Sequence, residues 1–155
     1  MTVIEPAVSP DLEPLPCTGA RARRLTRRMT AFYEVYLRPM GLRLPQYSLL
    51  MHLDLEPQSL QRLAERMDMD RTTLTRALKP LSVAGWVTQG AGDDARQRLF
   101  ALTGAGLAKR AQAHAAWAVA QRALEDVLDR DFTARLNAQL EDALERLRPA
   151  LPPEN

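Results

Sequence analysis

Proline and glycine divide this chain more sharply than any other residue type. Four of its eleven prolines, Pro6, Pro10, Pro14 and Pro16, fall in the first 16 residues. Each fixes its own φ and removes a backbone donor, so the stretch can join neither a helix nor the interior of a sheet. Residues 1–16 are therefore expected to form a flexible arm. No proline interrupts 82–148 and no glycine follows Gly106, which leaves the C-terminal third free to build long helices rich in Ala and Leu. In between, Pro39, Gly41, Pro45, Pro57 and Gly85 cut the chain into short pieces. A length of 155 residues suits one domain, or a small domain with extra helices attached, and 46% hydrophobic against 26% charged residues allows a real core.

Within the pieces, Leu25, Met29, Phe32 and Tyr36 recur at helical spacing and predict a first helix over 18–37, ended by Pro39 and Gly41. Pro45 opens a second, with Leu49, Leu50 and Leu53 on one stripe, stopping near Glu56 and Pro57. Ser59 is placed to cap a third, whose Leu60, Leu63, Ala64 and Met67 share a face. After a brief turn, Asp70 is placed to cap a fourth, with Met69 and Leu74 as a hydrophobic staple and Gly85 just past its end. Two helices joined by so tight a link form the helix-turn-helix pattern. Strands are expected over 86–88 and 99–102, around a long charged loop at 90–98. Thr103 can cap a fifth helix running to Leu128, and Asp131 a sixth that aligns Phe132, Leu136, Leu140, Leu144 and Leu147. The expected fold class is mainly α with a small β-hairpin wing. A winged helix-turn-helix over 43–102 is flanked by helical regions over 17–42 and 103–150, whose apolar stripes need a second copy of the chain to cover them.

On the fourth helix Leu74, Ala77, Leu78 and Leu81 cluster on one side, while Thr72, Arg76 and Lys79 point the other way. Arginine offers a fork that matches guanine O6 and N7, threonine hydroxyls donate to bases or phosphates, and lysine neutralises phosphate as a point charge. Pro80 removes the backbone bond to Arg76, so the polar face is expected to end near Lys79. The distribution of charge fits this reading better than the formal net charge of +2. Residues 1–20 carry three acids and no base, 21–110 carry 16 bases against 8 acids, and 111–155 carry 5 bases against 8 acids. Such a basic middle suits a polyanion, and an arginine-rich solvated face would give the same count. In the expected wing loop, Asp93 and Asp94 precede Arg96 and Arg98. Acid repels DNA, and the favoured account is that Asp94 supports the wing by orienting an arginine towards a narrow minor groove; the other is a solvated turn.

Together, DRTTLTRALKPLSVAGWV at 70–87, the D-x-R-x-R of DARQR at 94–98 and LTGAG at 102–106 resemble the MarR family of bacterial winged-helix transcription regulators. The resemblance extends over 17–148, because the family also has a dimerisation helix before the motif, matched here by RLTRRMTAFYEVYL, and two long helices after it. It implies a homodimer on palindromic double-stranded DNA, usually a repressor, released by a small aromatic or phenolic ligand or by thiol oxidation. The DNA-contacting residues would be Arg71, Thr72, Thr73, Thr75, Arg76 and Lys79 of the fourth helix with Arg96 and Arg98 of the wing. Family effectors commonly bind between the dimer helices and the winged domain, where Phe32, Tyr33, Tyr36 and Trp117 are the candidate lining. For an oxidant the candidate is Cys17, at a helix start where the macrodipole, Arg21 and Arg24 favour a thiolate. Ala95 departs from the family, which often has a further arginine there, and leaves the number of wing cations open.

A single cysteine excludes a disulfide within the chain, and two histidines without C-x-x-C give no zinc spacing, so no metal or other cofactor is expected. With no leader pattern and no long apolar run, the expected location is cytoplasmic, with no membrane partner. GAGDDA at 90–95 and GAGLAK at 104–109 begin like nucleotide-binding glycine fingerprints, but neither has the third glycine or a βαβ setting, and an enzyme is not expected. A winged helix used for protein contact stays open; DNA binding would show a steep salt dependence that a protein contact lacks. Trp86, Trp117 and Tyr47 read mainly as core or as lining between helices, His52 as in or beside the core at the second helix, and His114 as lying on an Ala-rich face. The arginines at 21, 23, 24, 27 and 28 either pair with Glu141, Asp142 and Glu145 or are solvated.

Overall fold

A computed structural model describes residues 17–92 and 97–148. The arm expected over 1–16, Asp94 and Arg96 of the wing loop, and the last two residues of the helical region expected over 103–150 lie outside the described residues. The chain runs through α1 (Thr18–Leu37), a 3-10 turn (Arg38–Met40), α2 (Leu44–His52), β1 (Gln58–Ser59), α3 (Leu60–Met67), α4 (Arg71–Val83), β2 (Val87–Ala91), β3 (Arg98–Leu102), α5 (Gly104–Leu128) and α6 (Arg130–Leu147). The three strands form an antiparallel sheet in the order β1-β3-β2. Val87 pairs with Leu102, Ala91 with Arg98, and Gln58 with Phe100.

Leucines from α1 to α4 converge on one core, in which Leu37, Leu49, Leu50, Leu63, Leu74, Leu78 and Leu81 are fully buried. Burying each contributes about 1.5–3 kcal/mol, and this drives the helix-turn-helix to close. Its geometry is set by the caps. Ser59 Oγ accepts from Arg62 N at 3.2 Å and Asp70 Oδ1 from Thr73 N at 2.8 Å. Asp68 between them takes the left-handed conformation at φ 51°, and Met69 N bonds back to Ala64 O at 3.0 Å. Gly85, at φ 74°, ends α4 as expected.

Several expectations need correction. Helix α2 stops at His52 rather than near Glu56, with Leu53 already extended at φ −92°, ψ 145°. Strand β1 was not foreseen, since two residues are too short to show alternation. The wing strands reach further into the loop than expected, so Gly90, Ala91 and Arg98 belong to the ladder. The cap of α6 is Asp129, whose carboxylate accepts from Asp131 N at 2.9 Å and Phe132 N at 3.1 Å; Asp131 itself lies in the first turn. The polar outer face does end near Lys79 as expected: α4 continues past Pro80 to Val83, which is 81% exposed.

Helix α5 is anchored to the winged domain at its first turn. Thr103 Oγ1 accepts from Gly106 N at 3.0 Å and donates to Gly85 O at 2.7 Å, while Thr103 N donates to Trp86 O at 3.1 Å. A Cβ on Gly106 would lie 1.9 Å from that same Trp86 oxygen. Neither backbone can yield without opening the joint, so Gly106→Ala should destabilise the fold by about 1–3 kcal/mol or more; a denaturant midpoint unchanged from wild type would contradict this close approach.

The carboxyl of Asp70 is held below its ordinary 3.8 by hydrogen bonds from Thr73, first from the side chain and then from the backbone N–H. Because its folded value lies below the unfolded one, the capping contribution is complete above the unfolded value and is lost as pH falls through the folded value. Asp70→Asn keeps an acceptor but has no charge to titrate. The stability difference between wild type and Asp70→Asn should therefore shrink as pH is lowered from 5 through the region below 3.8; a constant difference in chemical melts would show that the charge contributes nothing to the cap.

Candidate nucleic-acid interface

The buried stripe of α4 dictates its outer face. With Leu74, Leu78 and Leu81 turned into the core, Arg71, Thr72, Thr73, Arg76 and Lys79 are exposed and Thr75 is half-buried. The ion pairs among the described residues are Arg38–Glu34, Arg110–Asp54, Arg130–Glu125 and Arg146–Asp142. Arg71, Arg76 and Lys79 are in none of them. The threonines differ in their local bonding. Thr75 Oγ1 donates to Arg71 O at 2.7 Å and Thr73 serves the Asp70 cap through both side chain and backbone. Thr72 has no side-chain bond among the described residues.

Helix α4 stands between two open clefts. One, of about 450 Å³, separates it from the wing and is lined by Arg76, Lys79, Val83, Gln89 and Phe100 among others. The other, of about 510 Å³, is bounded by Leu60, Arg71, Thr72, Thr75 and Arg76. A ridge flanked by clefts, carrying planar and point cations on its crest, has the shape and chemistry to enter a polyanion groove wide enough for one helix. Arg98 is exposed on the wing at the start of β3, not in the loop where the sequence put it. Gln89 was not singled out beforehand as part of this surface; its position depends on the wing folding back beside α4, which leaves no local signal.

The aromatic candidates split into two groups. Phe32 packs beside Tyr33 and Tyr36 on α1, with ring centroids 6.1 and 5.8 Å apart. Trp117 instead stacks between Tyr47 at 6.1 Å and His114 at 5.4 Å, and the Tyr47 hydroxyl lies 3.1 Å from His114 Nδ1. His114 is thus part of an aromatic layer between α2 and α5. Tyr33 joins it from α1: its hydroxyl donates to Gln121 Oε1 at 2.6 Å. Burial raises the Tyr33 phenol, helped by the Glu125 carboxylate, and burial raises Tyr47, helped by Tyr33. Both phenols stay protonated at ordinary pH. Tyr47 was expected only as packing and Gln121 not at all, because their partners lie 67 and 88 residues away.

Cys17 is exposed at the N-cap of α1, and its side chain makes no cap bond. The arginines at 21, 23, 24, 27 and 28 are exposed, and no described ion pair links them to Glu141, Asp142 or Glu145 of the same chain. No group of three or more potential metal ligands occurs among the described residues, and no described helix is long and apolar enough to cross a membrane.

Comparison with known proteins places this geometry in a family. The family model described as MarR family matches residues 40–97. The M. tuberculosis transcriptional regulator MOSR, solved in complex with DNA, is 34% identical, with a TM-score of 0.72 over 85% of this chain and 98% of that one. A mutant MarR from E. coli complexed with operator DNA is 24% identical, with a TM-score of 0.71 over 81% and 92%. CouR from Rhodococcus jostii RHA1 bound to p-coumaroyl-CoA is 21% identical, with a TM-score of 0.68 over 94% and 99%. No curated protein sequence matches. With the helix-turn-helix and both wing strands present and a 34% identical regulator aligned along nearly its whole length, the chain belongs to the MarR family of transcription regulators.

Proposed function

We propose that this MarR-family protein is a homodimeric, sequence-specific DNA-binding repressor that inserts α4 into the major groove of a palindromic operator. The observation that carries the reading is the crest of α4, where Arg71, Thr72, Arg76 and Lys79 stand exposed between two clefts and, among the described residues, form no ion pair. The relative at 34% identity is itself seen with DNA, which supports a DNA partner over a protein partner for the winged helix, and a regulator over an enzyme. A dimer is supported by apolar residues left uncovered on the flanking helices: Val35 of α1, Val119 and Val127 of α5, and Phe132, Leu140, Leu144 and Leu147 of α6 are exposed. Two-fold symmetry of the protein then requires a palindrome with half-sites about one helical turn apart.

Arg76 is assigned to a guanine edge, Thr72 to a base or phosphate, and Arg71 and Lys79 to phosphates; Arg98 is assigned to the backbone beside the wing. Thr73 and Thr75 act through the helix they cap and brace. Arg76→Ala should cost about 1–3 kcal/mol of operator binding and relax one base position per half-site. Arg98→Ala should weaken all sequences alike and flatten the salt slope by about one unit per lost contact per subunit. Binding by Arg76→Ala with wild-type affinity and selectivity would contradict the placement of α4.

Release is assigned to a small aromatic ligand, supported by the layer of Tyr33, Tyr47, His114 and Trp117 where α1, α2 and α5 meet, with Phe32 and Tyr36 alongside. The second reading, oxidation of Cys17, is supported by its exposed thiol. Titrating the DNA complex with aromatic carboxylates and with an organic hydroperoxide separates them. Ligand release predicts that an aromatic acid frees DNA from wild type and Cys17→Ser equally; release by hydroperoxide alone, lost in Cys17→Ser, would assign sensing to the thiol.

A further inference from the structure

The segment that joins α2 to β1 carries an unusual set of long-range bonds. Arg110 of α5 donates from Nη1 to Leu53 O at 2.7 Å, and the same nitrogen lies 3.7 Å from Asp54 Oδ1. Leu102 N, at the end of β3, donates to Asp54 O at 2.8 Å. Gln58 is a polar side chain left only 6% exposed, and its Nε2 donates to both His52 O and Asp54 Oδ2 at 3.3 Å. Its Oε1 in turn accepts from Arg66 Nη1 of α3 at 2.8 Å. One corner of backbone is thereby tied to the long helix α5, to the wing sheet and to the first helix of the helix-turn-helix. The end of α2 has carbonyls that no helical N–H reaches, and groups from outside the helix satisfy them.

This corner matters because α5 meets the winged domain in more than one place. Thr103 and Gly106 fix the start of α5 against Gly85 and Trp86. Arg110 holds it again roughly 10 Å further on, at 1.5 Å of rise per residue. One anchor is a pivot, whereas two separated anchors define an angle. If α5 belongs to the region that pairs with the partner chain, that angle sets how far apart and how rotated the two α4 ridges lie.

We infer that Arg110 and Gln58 are positioning residues for operator spacing: they lock the α2–β1 corner to α5 and α3, so that the dimer reads half-sites at one separation. The inference rests on the proposed dimeric DNA-binding reading. It assigns neither residue to a DNA contact, so base preference within a half-site should not depend on them. The two kinds of specificity are thus separable.

The test measures binding to the operator and to versions with one base pair inserted or removed between the half-sites, for wild type, Arg110→Ala, Arg110→Lys and Gln58→Leu, each checked for folding and dimerisation. One base pair rotates a half-site by about 34° and shifts it about 3.4 Å, and wild type should lose at least about tenfold in affinity. Arg110→Ala and Gln58→Leu should shrink that penalty to about threefold or less, while point changes within a half-site cost what they cost wild type. Arg110→Lys, which keeps a donor for Leu53 O, should restore discrimination. Should Arg110→Ala not fold, Gln58→Leu, which leaves α5 untouched, carries the same prediction. A wild-type spacing penalty in the folded variants, or a uniform loss of affinity at every spacing, overturns the inference and leaves the DNA-binding reading standing. A wild-type protein indifferent to spacing overturns both.

Discussion

The structure depends on the burial of one stripe of leucines. Leu74, Leu78 and Leu81 tie α4 into the core, and by helical geometry whatever lies opposite them must face solvent. The crest of cations is therefore a consequence of packing as much as of charge. The capping of α4 by Asp70 adds the start point, and the left-handed Asp68 makes the link to α3 short enough for both helices to share the core. Remove the stripe and Arg76 has no defined direction; keep it and the donors are held out before any partner arrives. This is preorganisation, which lowers the ordering cost of binding.

A second layer of constraint joins this ridge to the rest of the molecule. The start of α5 approaches the backbone of Trp86 closely enough to need glycine at position 106, and Lys109 lies 4.9 Å above the Trp86 ring. Further along α5, Arg110 grips the corner after α2, and His114 and Trp117 stack on Tyr47. Ridge, wing and long helix are thus connected by short, largely satisfied contacts, and no buried side-chain polar atom among the described residues lacks a partner. A ligand that separated the aromatic layer would act on the joint that orients α4.

What was legible in the sequence was what local chemistry determines. Ser59, Asp70, Thr103 and Gly85 were readable as helix ends because a cap needs only its own neighbours. The leucine stripe of α4 was readable from its period. The cap of α6 falls two residues before the expected Asp131 because both aspartates flank the same start, and the bonds that the Asp129 carboxylate accepts from Asp131 N and Phe132 N decide between them. Strand β1 and the full wing ladder come from pairing with distant residues, as Gln58 does with Phe100. The same distance hid the Tyr47–His114 and Arg110–Leu53 bonds, since nothing in the spacing of either pair marks them as partners. Thr72, Thr73 and Thr75 look equivalent in the sequence, whereas in the structure Thr73 and Thr75 also bond within their own helix.

The proposed function requires two copies of α4, related by a two-fold axis, to lie in successive major grooves. The most direct measurement is a chemical footprint of the protein on its selected operator, with the stoichiometry of the complex determined by sedimentation. The account predicts two chains per duplex and two symmetric major-groove protections centred about one helical turn apart. One chain per site, or a single asymmetric protection, would contradict it.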